Sequence, residues 1–115
     1  MLDDIEEALK TLGLPVYYGV HDAQPNEDWN YIVFRRINTR SNANKTARDK
    51  LVFVGYVHED YIDEDVEDKV REAVCALPGM READADVAYE YVQKPSTGAV
   101  VEVMGITFRK SVKAY

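Results

Sequence analysis

Apolar positions along the chain follow two periods. Ile5, Ala8, Leu9 and Leu12 recur at helical spacing, Asp3 or Asp4 stands before them as a cap, and Gly13 follows them as a stop. The spacing predicts a short amphipathic helix. Pro15 then opens an extended run from Val16 to Val20, and "HDAQPNED" supplies turn residues. In "WNYIVFRRI" both alternating sets are apolar, Trp29, Tyr31 and Val33 against Ile32 and Phe34, as in an interior strand at the centre of a sheet. "KLVFVGYVHED" has the same two-sided character, so the two segments predict a long antiparallel hairpin.

"DEDVEDKVREAVCAL" carries the clearest helical stripe, Ile62, Val66, Val70, Ala73, Val74 and Leu77. Acids crowd its first turns, where the helix dipole favours them, and Pro78 and Gly79 end it. "READAD" reads as a polar connector. "VAYEYVQK" and "GAVVEVMGITFRKSVK" then flank "PSTG", a hairpin turn. The order α-β-β-β-α-β-β, with one apolar face per helix, predicts an α+β fold. Its simplest form is a two-layer sandwich of about five mostly antiparallel strands and two helices. Gly55 and Gly105 interrupt strand patterns, which marks a bend, a bulge or a close backbone approach.

Length sets the scale: 115 residues fit one domain, 1–115, with a modest core. Hydrophobic residues at 46% and charged ones at 30% exclude disorder along the whole chain. No apolar run reaches the roughly 20 residues that cross a bilayer, and "MLDDIEEALK" has acids where a secretion signal is basic, so no membrane partner is expected. A net charge of -7 repels nucleic acid and anionic membrane alike, unless a local basic patch reverses the field.

Such a patch exists. "RRINTRSNANKTARDK", residues 35 to 50, holds six of the 14 basic residues, Arg35, Arg36, Arg40, Lys45, Arg48 and Lys50, and one of the 21 acids. Residues 38 to 50 include no large apolar side chain, so the stretch predicts a flexible hairpin loop that is unable to order itself by burial. Two partners suit its charge: nucleic-acid phosphates, or a carboxylate-rich protein surface. The chain supplies the second at Asp63, Glu64, Asp65, Glu67 and Asp68. Basic loop and acidic helix together favour head-to-tail association of copies, with charge setting register more than affinity.

Signals for chemistry are weak. His21 and His58 each stand beside an acid but lack metal-ligand spacing, and the single Cys75 reads as an apolar filler. No phosphate-cradling glycine loop or nucleophile elbow occurs, so no catalytic, metal or cofactor site is expected. Tyr17, Tyr18, Trp29, Tyr31 and Tyr56 read first as strand packing. A nucleic-acid module using Tyr31, Arg35, Arg36 and the loop is the alternative, with a small enzyme or ligand-binding domain using His21 and His58 behind it.

Several stretches taken together, "IEEALKTLGLPVYYG", "WNYIVFRR" before a long polar loop, the acidic second helix ending "ALPG", and the closing "VVEVMGITFRK", resemble the tail terminator or tail completion (head-tail joining) proteins of long-tailed bacteriophages. Neighbouring neck and minor capsid families share part of this pattern. The resemblance implies a non-enzymatic virion protein that forms a ring, a hexamer, caps the tail tube, stops its growth and meets the head-tail connector. It implies the major tail tube protein as a partner and at most weak, non-specific contact with DNA. It also implies a place in the tail-neck region, after assembly in the host cytoplasm, and a loop from Asn38 to Asp49 that orders on ring formation through Arg40, Lys45 and Arg48.

Overall fold

The computed structural model describes residues 1–41 and 47–113. It is an α+β fold of two helices and six mostly antiparallel strands. The elements run α1 (Leu2–Lys10), β1 (Val16–Tyr18), β2 (Tyr31–Ser41), β3 (Ala47–Glu59), α2 (Val66–Cys75), β4 (Met80–Glu82), β5 (Ala88–Gln93) and β6 (Val100–Lys113). The strands are ordered β1-β2-β3-β6-β4, and β5 also pairs with β6. β1 alone is parallel to its neighbour, pairing Val16–Tyr18 with Ile32–Phe34.

Alternation decides the core. Even-numbered side chains of the long strands, Ile32, Phe34, Val52, Val54, Tyr56, Met104, Ile106 and Phe108, join Ile5 and Leu9 of α1 and Val70 and Val74 of α2 in one buried cluster. Gly13, at φ +87°, turns the chain out of the α1 segment in a conformation that an L side chain resists. Odd-numbered positions face the other way, and there Gly55 and Gly105 lie directly opposite each other. The Phe53 ring occupies the space their missing side chains leave, with the Arg35 guanidinium 5.0 Å from the ring centroid.

Three expectations change. α2 begins at Val66, with Asp65 at its N-cap and Ile62 buried in the turn before it, so the first acids precede the helix. Met80–Glu82, expected within a connector, forms a strand against Lys110–Phe108, because β6 runs on beyond β5 and presents a free edge there. The third change concerns the basic stretch. Asn38–Ser41 and Arg48–Leu51 are paired strand rather than loop, past an irregularity at Ile37 that shifts the register by one residue. Burial was the wrong criterion for it: β3 is laddered on both sides here, to β2 and to Arg109–Lys113, so backbone hydrogen bonds hold a polar segment. The central part of the expected loop, with Lys45, lies outside the described residues.

Candidate functional site

Pairing of β2, β3 and β6 spreads the basic stretch into a two-faced array. Arg36, Arg48 and Lys50 stand on the helix side together with Lys110, while Arg40 shares the opposite side with Arg109. Arg35 stands one row nearer the centre, over Phe53. Arg40, Arg48, Lys50 and Lys110 form no ion pair among the described residues, and the Arg36 Nε donates to the Tyr18 hydroxyl at 3.1 Å. Asp49 is the one acid in these rows. It is 6% exposed, accepts a 2.6 Å hydrogen bond from the Ser111 hydroxyl and lies 3.7 Å from Arg109.

Arg109 and Lys110, absent from the sequence-derived site, belong to it, and Arg81 of β4 stands directly opposite Arg109. One signal could have found them. If the two mid-strand glycines are set opposite each other, Gly55 with Gly105, the register brings Lys50 to Lys110 and Leu51 to Arg109.

The acidic candidates divide. Asp63 and Glu64 are exposed in the turn before α2 and form no ion pair among the described residues. Asp65 holds Lys69 at 3.0 Å. Glu67 and Asp68 are engaged by Arg71, at 3.0 and 2.7 Å, and Arg71 also reaches Glu82 of β4 at 2.6 Å. The Tyr89 hydroxyl donates to Glu67 at 2.8 Å. That bond first, and Arg71 second, hold the Glu67 carboxyl below the usual carboxylate range. Burial, then the same carboxylate, pushes the Tyr89 phenol up to about 12. Arg71 therefore fastens α2 to β4, and Glu67 and Asp68 are less available to a neighbour than Asp63 and Glu64.

Along the long strands of a molecule measuring 51 × 24 × 22 Å charge is thus separated, while the start of α1, with Asp3 and Asp4, follows Met1 beside Arg36 and Lys50. The far rows of β2, β3 and β6 are cationic. Glu59, Asp60, Glu90, Glu102 and the start of α2 cluster at the other end of the same strands.

The aromatic and histidine candidates pack within the fold. His21 stacks on Tyr17, centroids 3.8 Å apart, and meets the edge of Tyr31, while Tyr18 packs edge-on against Phe34. The buried His21 Nε2 lies 3.2 Å from a Glu27 carboxylate oxygen, without the alignment of a hydrogen bond. His58 belongs to the other sheet face, with Tyr56, and its Nδ1 is 2.6 Å from the Glu59 carbonyl. The two imidazoles are therefore not brought together. Among the described residues no group of three histidine, cysteine or acidic side chains could hold a metal ion.

Sequence reasoning also missed Lys94. Only 5% exposed, it donates to the Glu27 carbonyl at 2.6 Å and to Glu59 at 3.2 Å, with Trp29 5.9 Å away. Glu59 in turn accepts from the Trp29 backbone N–H at 3.1 Å. This cluster ties the β5–β6 turn to the segment before β2, a structural role. No protein-family model matches the chain, and a search of curated proteins finds no match.

Proposed function

We propose that this chain is a non-enzymatic virion assembly protein, a tail terminator of a long-tailed bacteriophage. Copies associate head to tail into a ring that caps the tail tube, ends its growth and offers a surface to the head-tail connector. In this reading the helices and sheet form a two-layer sandwich, and the β2–β3 hairpin projects from it toward a neighbour. Its partners are further copies of itself, the major tail tube protein and the connector, at the tail-neck region of the virion.

The observation that supports it is the separation of charge: a strand end with Arg36, Arg40, Arg48, Lys50, Arg109 and Lys110 at one pole, and Asp63, Glu64 and Glu90 toward the other. Such a molecule repels a like pole and attracts an unlike one, which favours head-to-tail contact over contact between like poles. The sequence resemblance described above points the same way. Sedimentation and light scattering across concentration and salt test it, with negative-stain images for ring shape. Rings that weaken as salt rises are expected. A chain that stays monomeric at high concentration and low salt refutes it.

The cation array itself favours a second reading, a nucleic-acid-binding module. Neutralising about six phosphates gives a slope near -5 for log affinity against log salt. A filter-binding titration that steep would replace the assembly reading, and a shallow slope is expected.

A further inference from the structure

Two long strand edges of this sheet have no partner among the described residues and differ in charge, whereas the end strands β1 and β4 span three residues each. β5 pairs with β6 on one side only, through Ala88–Gln93 against Gly105–Val100. All six β5 residues are exposed, including Tyr91 at 63% and Val92 at 47%. The edge has no proline, no lysine and no bulge, the usual guards against pairing with another chain. Its one charged residue is Glu90, and Asp84 and Asp86 lead into it. The other open edge belongs to β2. β1 covers β2 only through Phe34, so Arg36–Ser41 face outward, exposed and without an acid.

We propose that these edges pair with each other between copies, β2 of one subunit adding to β5 of the next as an antiparallel strand. This rests on the self-association proposed above and names the surfaces that carry it. Charge favours the mixed pair over the symmetric ones, because β2 on β2 brings arginines together and β5 on β5 offers Glu90 no cation. Direction follows from the sheet, since β2, β3, β6 and β5 alternate and a neighbour in the same orientation presents β2 antiparallel to β5.

Register follows from the faces. Glu90 and Val92 share a face with Val103 and Val101, and Asn38 and Arg40 share that face with Leu51 and Asp49. A continuous sheet must set like faces together. The alignment that does so and also joins the charges puts Glu90 opposite Arg40, Tyr91 opposite Thr39 and Val92 opposite Asn38. The contact is heterologous, so it propagates from copy to copy, into a ring where the rotation closes and into a filament where it does not.

Site-directed cross-linking tests this in the full-length chain carrying Cys75→Ser. Asn38→Cys with Val92→Cys in one chain is expected to give a ladder of disulfide-linked oligomers on mild oxidation. Either cysteine alone is expected to give none beyond dimer. Arg40→Glu or Glu90→Lys alone weakens association by about five-fold per contact, and combining them restores it. Asn38, Arg40, Glu90 and Val92 are exposed, Cys75 is half-buried, and circular dichroism confirms that the variants fold. Association of the unmodified chain with no ladder, and with charge variants that change nothing, overturns the edge pairing while leaving self-association standing. A chain that never associates overturns both.

Discussion

Replacing Gly105 with alanine tests the close packing on the face away from the helices. A Cβ at this position would lie 2.7 Å from both Cε1 and Cζ of Phe53, where carbon contacts settle at about 3.5–4.0 Å. Neither Gly105 nor Gly55 has a positive φ, so the obstacle is contact rather than backbone strain. The ring must move by about 1 Å. It lies beneath Arg35 and over Gly55, so moving it gives up part of that stacking. Overpacking costs about 1–3 kcal/mol, and removing a strand glycine returns about 0.5–1 kcal/mol. The net loss is about 1–2 kcal/mol, a fall in Tm of about 4–8 °C for a domain of this size. Gly55→Ala, with its nearest contact at 3.1 Å, should cost little or nothing. Thermal and urea unfolding followed by circular dichroism give both numbers. With Phe53→Ala as background, Gly105→Ala should become neutral or slightly stabilising. Equal losses in both backgrounds would refute the reasoning, as would no loss in either.

Three further outcomes follow from the same contacts. Asp49→Ala strands the Ser111 hydroxyl and Arg109, so urea unfolding should show a loss of about 1–3 kcal/mol, with Asp49→Asn milder because it keeps an acceptor. Lys94→Met leaves Glu59 and the Glu27 carbonyl without their cation and should cost about 2 kcal/mol, below the full figure for a buried pair because Glu59 is 25% exposed. The Glu67–Tyr89 pair acts at both pH extremes. The lowered Glu67 pKa contributes stability above the usual carboxylate range that is lost as pH falls through it. The raised Tyr89 pKa contributes stability below pH about 10 that is lost as pH rises toward about 12. Tyrosine absorbance should show one phenol titrating near 12, moved down by Glu67→Gln.

Where side chains bury, the sequence was readable. Ile5 and Leu9, Ile32 and Phe34, and Val70 and Val74 lie in the core that their periods predict. Elements that hold by backbone alone escaped. β4 is three residues long, too short for a period, and exists because β6 offers it an edge. The outer rows of β2 and β3 are polar on both faces, so hydropathy is silent although the ladder continues. The candidate site was half legible for the same reason. Its first cations are contiguous in sequence, whereas Arg109 and Lys110 join only through a third strand some 60 residues away.

Preordering of these strands changes what association requires. If residues 38 to 50 were loop, fixing them against a neighbour would cost about 1–2 kcal/mol of backbone entropy per residue, several times the worth of the exposed ion pairs they could form. Asn38–Ser41 and Arg48–Leu51 already pair within the subunit, so that cost falls on folding and the open β2 edge is presented preformed. The distinction is measurable by hydrogen exchange on the dissociated protein. Amides of Arg48–Leu51, laddered to β2 on one side and β6 on the other, should be protected well above unstructured rates before any assembly. Further protection on assembly should then appear at the outer edge of β2 and along Ala88–Gln93 rather than at β3. Exchange of Arg48–Leu51 at unstructured rates in the monomer, slowing only in the assembled state, would restore the loop picture and remove the preformed edge.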